Sequence, residues 1–460
     1  MSDAINPAVS YPIPGALPSL TTVPQARFLD TLAILFGVFL PTIAKGVIIR
    51  RPTMLAIADR LDLDRRAIRG MQRLRREYGS GPVLLRIPGR SLAVVLDPED
   101  VHRILAESPD PFATATPEKT AALAHFEPKM ALISRGPERA DRRRYNEQVL
   151  EAHRPMHHMA EHFVEVVASE ARHLRASLPQ QHNTLDWNDF SDAWFRIVRR
   201  VIFGEAARDD HELSSIMAKL RFAANWAFLR PQRRNLREQL LARIRSYLAK
   251  AEPNSLAGMM AHIPATSLTA PEQQLPQWLF AFDPAGMTTF RSLALLASHP
   301  EQASMARQEI NTGSGPEPHQ MPYLRATVLE SLRLWPTSPL ILRETTGATV
   351  WRNGAIPPDT GLVIFTPFFH RDNERLPWAD SFSPELWINE KPDPQTCALV
   401  PFSEGPAVCP GRHLVLLLTT AMLAELLADT QVRLKTPTRL TAGQPLPATL
   451  NHYKLRFELT

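Results

Sequence analysis

Residues 402–412 constrain this chain more than any other segment, because they place one cysteine in a Gly/Pro-rich loop directly before an apolar helix. The loop runs Phe-Ser-Glu-Gly-Pro-Ala-Val-Cys-Pro-Gly-Arg, with the cysteine at position 409. Glycines let the backbone approach a sulfur atom, and N–H groups at a helix start stabilise a thiolate. A thiolate suits iron or zinc. Zinc would need more ligands and only His413 is near, so the pattern favours a one-cysteine haem site; an ordinary buried cysteine is the alternative.

The composition fits one large folded body. The chain has 460 residues, 44% of them hydrophobic, which is enough for a large core. No Gly/Ser-rich linker or repeat divides it, so we expect an N-terminal arm with an apolar helix over 1–50 and one domain over 51–460. The net charge is only +5, and acidic and basic residues alternate. That pattern argues against a nucleic-acid partner and favours an acidic protein partner.

The two cysteines and the N-terminus bear on the compartment. One bridge between Cys397 and Cys409 would add little to so large a core, so a reducing cytoplasm is expected. Residues 31–44 are uncharged and mostly apolar but too few for a membrane span, which takes about 20 residues. We expect a helix there that either packs on the body or lies on a membrane surface.

Hydrophobic periodicity predicts a mainly helical chain with small sheets near both ends. Pro88-Gly89-Arg90 predicts a hairpin turn, and Asp97-Pro98 predicts a helix start. Residues 109–127 are expected to be irregular. Helices are predicted over 52–78, most of 135–222, 278–297, 323–335 and 411–427, and strands over 83–87, 91–96 and parts of 340–368.

The loop at 402–412 resembles the haem-binding segment of the cytochrome P-450 superfamily, Phe-x-x-Gly-x-(Arg/His)-x-Cys-x-Gly. Phe402, Gly405, Cys409 and Gly411 match it. The resemblance implies a mainly α P-450 fold with small sheets, of the bacterial, soluble type. It also implies haem b (iron protoporphyrin IX) as cofactor and Cys409 as the iron ligand.

A second motif lies on the helix predicted over 323–335. Glu330 and Arg333 are at i and i+3, so they share a face and can form an ion pair. Alone, such a pair is usually a solvated surface bridge. Followed by Leu-Trp-Pro, it resembles the family's Glu-x-x-Arg helix, and the resemblance implies a buried pair that fixes the scaffold beneath the haem.

Three arginines fall where the resemblance implies contacts with the haem propionates. Arg139 and Arg143 are at i and i+4, so both can face the same anions, with a solvated basic face as the alternative. Arg343 follows two prolines, where the family often places a propionate arginine. Phe402 and Gly411 complete the implied cofactor-binding set.

Two positions depart from the family pattern without removing the iron ligand. Ala407 stands where an arginine or histidine usually meets a propionate. Leu386 stands where an arginine usually completes the Glu-x-x-Arg network, although segments 370–372 and 382–387 resemble the family's meander. Because alanine cannot bind a propionate, we expect other residues to do so in place of Ala407.

The third departure concerns the helix over 278–297. Counting back from His299-Pro300, a family landmark, places Asp283 at the family's acid and Pro284 at its oxygen-activating threonine. An alternative alignment would use Gly286 and Thr288. Because proline lacks a hydroxyl and an N–H, we expect a kink that frees the carbonyl of residue 280. Asp283 and Pro284 are the predicted catalytic positions.

The resemblance implies a monooxygenase that inserts one oxygen atom from dioxygen into an apolar small molecule, with electrons from a separate ferredoxin and reductase. The alternatives are a peroxide-driven oxygenase, a catalyst of rearrangement or dehydration, and a non-catalytic haem-binding protein. Trp226 and Phe228 are expected in the lid region. The predicted pocket positions are Phe280, Phe282, Ala285, Leu340 and Ile341.

Overall fold

The structure, a computed structural model, describes residues 21–178, 183–312, 321–389, 393–436 and 439–460. The helices are α1 Phe28–Ile34, α2 Leu40–Ala44, α3 Pro52–Leu61, α4 Leu63–Tyr78, α5 Pro98–Ala106, α6 Pro117–Leu123, α7 Gly136–Val149, α8 Ala160–Ser177, α9 Trp187–Phe203, α10 His211–Ala224, α11 Arg234–Lys250, α12 Leu256–Met260, α13 Leu275–Ser298, α14 Pro300–Thr312, α15 Pro322–Leu334, α16 Thr366–His370 and α17 Arg412–Leu427. The strands are β1 Val83–Leu84, β2 Leu92–Val94, β3 Phe112–Ala113, β4 Thr184–Asp186, β5 Leu340–Thr345, β6 Thr349–Trp351, β7 Gly354–Ile356, β8 Gly361–Phe365, β9 Val432–Leu434 and β10 Arg456–Leu459.

Most of the buried apolar side chains belong to two large clusters, a helical core and a sheet-based core. In the helical core, α13 packs against α9, α15 and α17, and α17 also packs against α8. Both α13 and α17 are apolar around much of their circumference, as buried central helices must be. The fold therefore places the predicted catalytic helix and the helix after Cys409 side by side.

The larger sheet, within the described ranges, has the strand order β1-β2-β8-β5-β3. The β2–β8 pair is parallel and the other pairs are antiparallel, with Arg343 of β5 opposite Leu362 of β8. Strands β4, β10 and β9 form a second sheet, and β6 and β7 form a hairpin. The mainly α architecture with small sheets that the sequence predicts is confirmed.

The N-terminal apolar segment is a helical rod over 28–44 that packs on α4. A π-helical turn, Leu35–Phe39, joins α1 to α2. Pro41 explains this turn, because its missing N–H leaves the carbonyl four residues earlier without its usual donor. Ile34 and Val38 enter the sheet-based core, whereas Phe36 and Leu40 are exposed. No helix of the described chain is both long and apolar enough to cross a membrane.

Three local features of the fold bear on the sequence predictions. The hairpin at 88–90 is confirmed, with Val83 of β1 opposite Val94 of β2. The helix predicted over 52–78 is two helices, because Asp62 adopts a left-handed φ of 44° between α3 and α4. Helix α13 continues through Pro284, so the expected kink does not end the helix.

The prediction of irregular structure over 109–127 is wrong for α6. Thr116 is the N-cap of this helix, and its hydroxyl accepts a hydrogen bond from the Lys119 N–H at 3.3 Å. Pro117 occupies the first turn, where its missing N–H costs nothing. The Thr-Pro pair is a helix-start signal that would have located α6.

Candidate functional site

Cys409 lies in a tightly held loop. Its N–H donates to the Phe402 carbonyl at 2.9 Å, and the Val408 N–H donates to the Gly405 carbonyl at 3.0 Å. Gly405 has a φ of +65°, and a Cβ there would lie 2.3 Å from the Leu105 carbonyl oxygen of α5. The loop is thus fixed by its own hydrogen bonds and by close packing on α5, and only glycine fits at position 405.

The two thiols lie in different environments, and both are free. Burial raises the pKa of the Cys409 thiol, while the Gly411 N–H and the charges of Arg143 and Arg412 act to lower it. A bound metal ion would complete the shift toward thiolate, because coordination deprotonates a thiol. Burial raises the pKa of Cys397 to about 11, although Thr396 and the charge of Arg333 act to lower it.

The Glu330–Arg333 ion pair is completely buried at the end of α15, as the resemblance implies. Both side chains are 0% exposed, and two guanidinium nitrogens donate to the two carboxylate oxygens at 2.7 and 2.6 Å. Arg333 also donates to the carbonyls of His370 at 3.0 Å and Ala379 at 2.9 Å. The pair therefore ties α15 to the meander that leads to the Cys409 loop.

Neutral donors complete this network in place of the arginine missing at Leu386. The Trp387 indole N–H donates to Glu330 at 3.0 Å, and the Ser383 N–H donates to it at 2.9 Å. A buried carboxylate with one cation and two neutral donors has all of its strong acceptor positions used. The substitution at Leu386 is thus compensated by the next residue along the chain.

Three cations converge beside β5, and among the described residues none of them forms an ion pair there. Lys119 donates to the carbonyls of Thr114 and Leu342, each at 2.9 Å. Arg343 donates to the same Leu342 carbonyl at 2.9 Å, and Arg139 donates to the Thr114 hydroxyl at 3.3 Å. The cations are therefore held together by neutral oxygens, which leaves the cluster with uncompensated positive charge.

Burial lowers the pKa of all three groups, and repulsion from a neighbouring arginine, Arg143 in the case of Arg139, adds to it. Burial and this repulsion lower the pKa of Arg343 to about 10, with Arg139 as the repelling neighbour. Burial, followed by the charge of Arg343, lowers the pKa of Lys119 well below its ordinary value. Buried cations of this kind call for an anion. The sequence analysis missed Lys119 because it did not predict α6.

Arg143 lies next to this cluster, where its charge acts on Arg139, but it has a carboxylate partner of its own. Its Nε donates to Glu147 at 2.5 Å, and its charge acts on the Cys409 thiol. The methyl side chain of Ala407 cannot bind an anion. Lys119 instead adds a cation to the cluster that Arg139 and Arg343 form.

One face of α13 remains open in its first half. Gln277, Phe280, Ala281, Asp283 and Pro284 are partly exposed, while the positions between and after them are largely buried. The spacing of 277, 280/281 and 284 places these side chains on a single helix face. These side chains therefore form one partly exposed face of α13, called the open face below.

Asp283 on this face already has a charged partner. Its carboxylate forms an ion pair with Arg221 of α10, whose side chain is 4% exposed. Arg221 also donates to the Ile48 carbonyl at 3.0 Å and lies over the Phe280 ring at 5.1 Å. The pair therefore links α10 to α13, and Arg221 also connects them to the segment around Ile48.

The hydroxyl group nearest in sequence to Pro284 is also engaged. Thr288 is buried, and its Oγ1 donates back to the Pro284 carbonyl at 2.9 Å. The hydroxyl proton of Thr288 is therefore used within the helix.

A buried acid that sequence reasoning missed lies near the start of the open face. The Gln277 amide, with its NH2 group toward Glu127, donates to both carboxylate oxygens at 2.9 and 2.6 Å. Burial raises the pKa of Glu127 well above its ordinary value. The ring of neighbouring Phe126 packs edge-on against the Phe280 ring, with the ring centres 5.7 Å apart. The segment that contains Phe126 and Glu127 therefore packs beside the open face of α13.

Phe282 and Ala285 are buried in the helical core, Phe282 on the side of α13 away from Phe280 and Ala285 next to Ala281 at the border of the open face. They are 4% and 3% exposed. The Trp194 indole donates to the Phe282 carbonyl at 2.7 Å, and a Cβ at Gly286 would lie 2.7 Å from that indole. The packing against α9 therefore holds this stretch of α13 in the core, and the pocket role of Phe282 and Ala285 stays a prediction.

The other predicted pocket and lid residues differ in exposure. Leu340 and Ile341 are partly exposed at the start of β5, where they pack against the sheet-based core. Trp226 is 37% exposed under the Arg51 guanidinium, and Phe228 is 72% exposed. The first two positions remain compatible with a pocket, while Phe228 faces the outside.

The sequence model of the cytochrome P450 family matches residues 280–450, which include the open face of α13, the Glu330–Arg333 pair and the Cys409 loop. This match assigns residues 280–450 to the cytochrome P450 family. The resemblance that the sequence motifs indicated is confirmed, and haem b is therefore the cofactor of this P450.

Curated relatives match only part of this P450. The cyclooctat-9-en-7-ol 5-monooxygenase of Streptomyces melanosporofaciens is 30% identical over 32% of this chain and 34% of its own. The mitochondrial 25-hydroxyvitamin D-1 alpha hydroxylase of Mus musculus is 32% identical over 34% of this chain and 32% of its own. The matched segments thus span about a third of these relatives.

Solved structures extend the likeness of fold to most of the chain. A cytochrome P450, CYP102L1, superposes with a TM-score of 0.72 at 17% identity, covering 96% of this chain and 99% of its own. The retinoic acid bound cyanobacterial CYP120A1 superposes with a TM-score of 0.68 at 17% identity, covering 85% and 93%. At this identity the likeness concerns the fold alone.

Proposed function

We propose that this P450 is a haem-thiolate monooxygenase acting on an apolar small molecule, with electrons from a separate ferredoxin and reductase. The observation that carries the proposal is the pairing of a fixed, partly exposed Cys409 with a cluster of three cations that, among the described residues, has no anion of its own. Haem b supplies both missing partners, an iron for the thiolate and propionates for the cations.

In this proposal Cys409 ligates the iron, and the Gly411 N–H together with the charge of Arg143 stabilises its thiolate. Lys119, Arg139 and Arg343 hold the propionates. When bound, the haem supplies the oxygen-activating chemistry, and the chain positions the substrate and delivers protons. Phe280, on the open face of α13, offers the apolar surface for the substrate, and Leu340 and Ile341 add to it.

Proton delivery on the substrate side of the haem cannot use the acid and the threonine of the family pattern. Pro284 has no hydroxyl, the Thr288 hydroxyl is bonded to the Pro284 carbonyl, and Asp283 is paired with Arg221. A proton must then come through ordered water, through opening of the Asp283–Arg221 pair, or from a polar group of the substrate. This arrangement favours peroxide-driven turnover as the second candidate function, because peroxide already carries its protons.

The redox partner in this proposal is an acidic ferredoxin. Support comes from the positive charge near the Cys409 loop, where Arg143 and Arg412 act on the thiol and Arg325 acts on His413 beside Arg412. Complementary charge of this kind raises association rates and is weakened by salt.

The proposal also includes a cytoplasmic enzyme that contacts a membrane surface. The unpaired thiols of Cys397 and Cys409 support the reducing compartment. Phe28, Leu29 and Phe36 on the 28–44 rod are 59%, 76% and 63% exposed, which supports the membrane contact.

The assignment of Cys409 is tested by the spectrum of the reduced, carbon monoxide-bound protein. The parent should show the red-shifted Soret band of a thiolate complex, and Cys409→Ala should lose it. Cys397→Ala is the matched control and should keep it. Loss of the band in Cys397→Ala with retention in Cys409→Ala would overturn the assignment.

A further inference from the structure

A second group of buried cations surrounds a small cavity beside α13. Lys45, Arg50 and Arg291 line this cavity of about 40 Å³ together with a single carboxylate, that of Asp64. Asp64 is already ion-paired with Lys45. Within the described part of the chain, Arg50 and Arg291 form no ion pair, so the cavity carries an excess of two positive charges.

The two arginines are held by neutral oxygens. Arg50 donates to the carbonyls of Gly46 at 2.5 Å and Thr337 at 2.6 Å. Arg291, 5% exposed, donates to the carbonyls of Trp335 at 3.2 Å and Leu450 at 3.3 Å. Its Nε–H has no acceptor among the described residues. A buried donor without a partner is costly, and it points to a missing acceptor.

The charges of this cavity repel one another. Burial, followed by the charge of Arg50, lowers the pKa of Arg291 to about 9. Burial also lowers the pKa values of Lys45 and Arg50. An anion in the cavity would relieve this repulsion and accept from both guanidinium groups. The cavity is large enough for a carboxylate group or a small inorganic ion.

The cavity lies further along α13, beyond its open face. Arg291 follows Pro284 by seven residues, which places both on the same helix face about 10 Å apart along the axis. The negative charge of Asp283 acts on Arg50 and opposes the lowering of its pKa. Pro339 lines the cavity and directly precedes Leu340, one of the predicted pocket residues. An anion held here would therefore lie two turns along α13 from the predicted catalytic position.

We propose that this cavity binds the carboxylate of an organic acid, and that the substrate of this P450 is an apolar acid held by Arg50 and Arg291. The substrate class rests on the function proposed above, whereas binding of the carboxylate does not. Two N–H···O contacts from separate guanidinium groups suit the two oxygens of a carboxylate.

The test compares decanoic acid with its methyl ester by calorimetric titration of the purified haem-loaded protein, in a buffer free of chloride and acetate. We expect the acid to bind at least about tenfold more tightly than the ester. Arg291→Gln and Arg50→Gln should each remove most of this preference. Arg199→Gln is the matched control, because Arg199 is also buried and bonded to backbone carbonyls.

Sodium chloride and sodium acetate are titrated in parallel to distinguish the sources of the anion. Equal affinities of acid and ester in the parent would overturn the proposal without need of a variant. Tight chloride binding that Arg291→Gln removes, with no preference for decanoate, would show a free-ion site and would also overturn it. Preferential acid binding without oxidised product from any electron source would support the carboxylate site while contradicting the monooxygenase function.

Discussion

At the scale of single residues, the site depends on cations that the fold leaves without anions. Lys119, Arg139 and Arg343 share the oxygens of Thr114 and Leu342. Such an arrangement is unfavourable in the empty protein, because each buried charge repels the next. It becomes favourable when an anionic cofactor binds, so these residues should contribute to haem retention more than to folding.

We predict that Lys119→Met and Arg343→Met weaken haem retention. Loss of one charge-assisted hydrogen bond costs on the order of 1.5–3 kcal/mol, or roughly a tenfold to hundredfold change in the binding equilibrium. The measurement is haem transfer to an excess of apomyoglobin. Arg143→Met should have a smaller effect, because Arg143 is paired with Glu147.

Arg199→Gln serves as the control for general loss of a buried arginine and should leave the transfer rate unchanged. Unchanged transfer in Lys119→Met, Arg139→Met and Arg343→Met alike would contradict the assignment of the cation cluster to the propionates.

At the scale of elements, α13 is a continuous helix whose two sides have different surroundings. One side packs on α9, where Gly286 admits the Trp194 indole to the Phe282 carbonyl. The other side is the open face, where Phe280, Asp283 and Pro284 are partly exposed. Because a proline inside a helix removes one hydrogen bond, the Trp194 contact helps hold the helix at this point.

We predict that Pro284→Thr increases coupling in dioxygen turnover. The threonine hydroxyl would restore a distal proton donor that neither Thr288 nor the paired Asp283 provides. Product formed per NADPH with a reductase system should rise several-fold, while product formed per peroxide should fall or stay level.

Thr288→Val is the matched control, since its hydroxyl only donates to the Pro284 carbonyl and its loss should not change coupling. Tight coupling of the parent with a non-polar substrate, together with no gain in Pro284→Thr, would show that another group already completes the relay.

At the scale of the whole molecule, the N-terminal rod and the lid form one connected surface. The Asn225 side chain accepts from the Ile48 N–H at 2.9 Å and donates to the Ile49 carbonyl at 2.7 Å, which joins the two segments. Exposed apolar side chains lie on both sides of this junction, including Leu40 at 52% and Leu229 at 79%. Apolar surface of this extent is typical of contact with a membrane or a protein.

We predict that this surface binds anionic vesicles, because exposed Arg230, Arg233 and Arg234 flank its apolar residues. Phe36→Glu combined with Phe228→Glu should greatly reduce co-sedimentation with vesicles of phosphatidylglycerol and phosphatidylcholine. The control is Ile388→Glu, which changes an exposed apolar residue in the meander. Equal sedimentation of the parent and the double variant would refute the membrane contact.

The sequence by itself determined the family, the mainly α fold and the Cys409 loop, because these depend on short motifs and on local hydrophobic periodicity. Glu330 and Arg333 could be paired from their i, i+3 spacing alone. Only the tertiary structure decided which distant groups meet. Lys119 joins Arg343, Arg221 takes the carboxylate of Asp283, and Trp387 replaces the missing arginine.

The same limit applies to burial along α13. Phe280 and Phe282 are equally apolar in sequence, but only packing against α9 decides that Phe282 belongs to the core and that Phe280 lies on the open face. Arg50 and Arg291 likewise lie 241 positions apart in the chain. Their shared cavity exists because the fold brings the N-terminal segment against α13, and no local pattern encodes that contact.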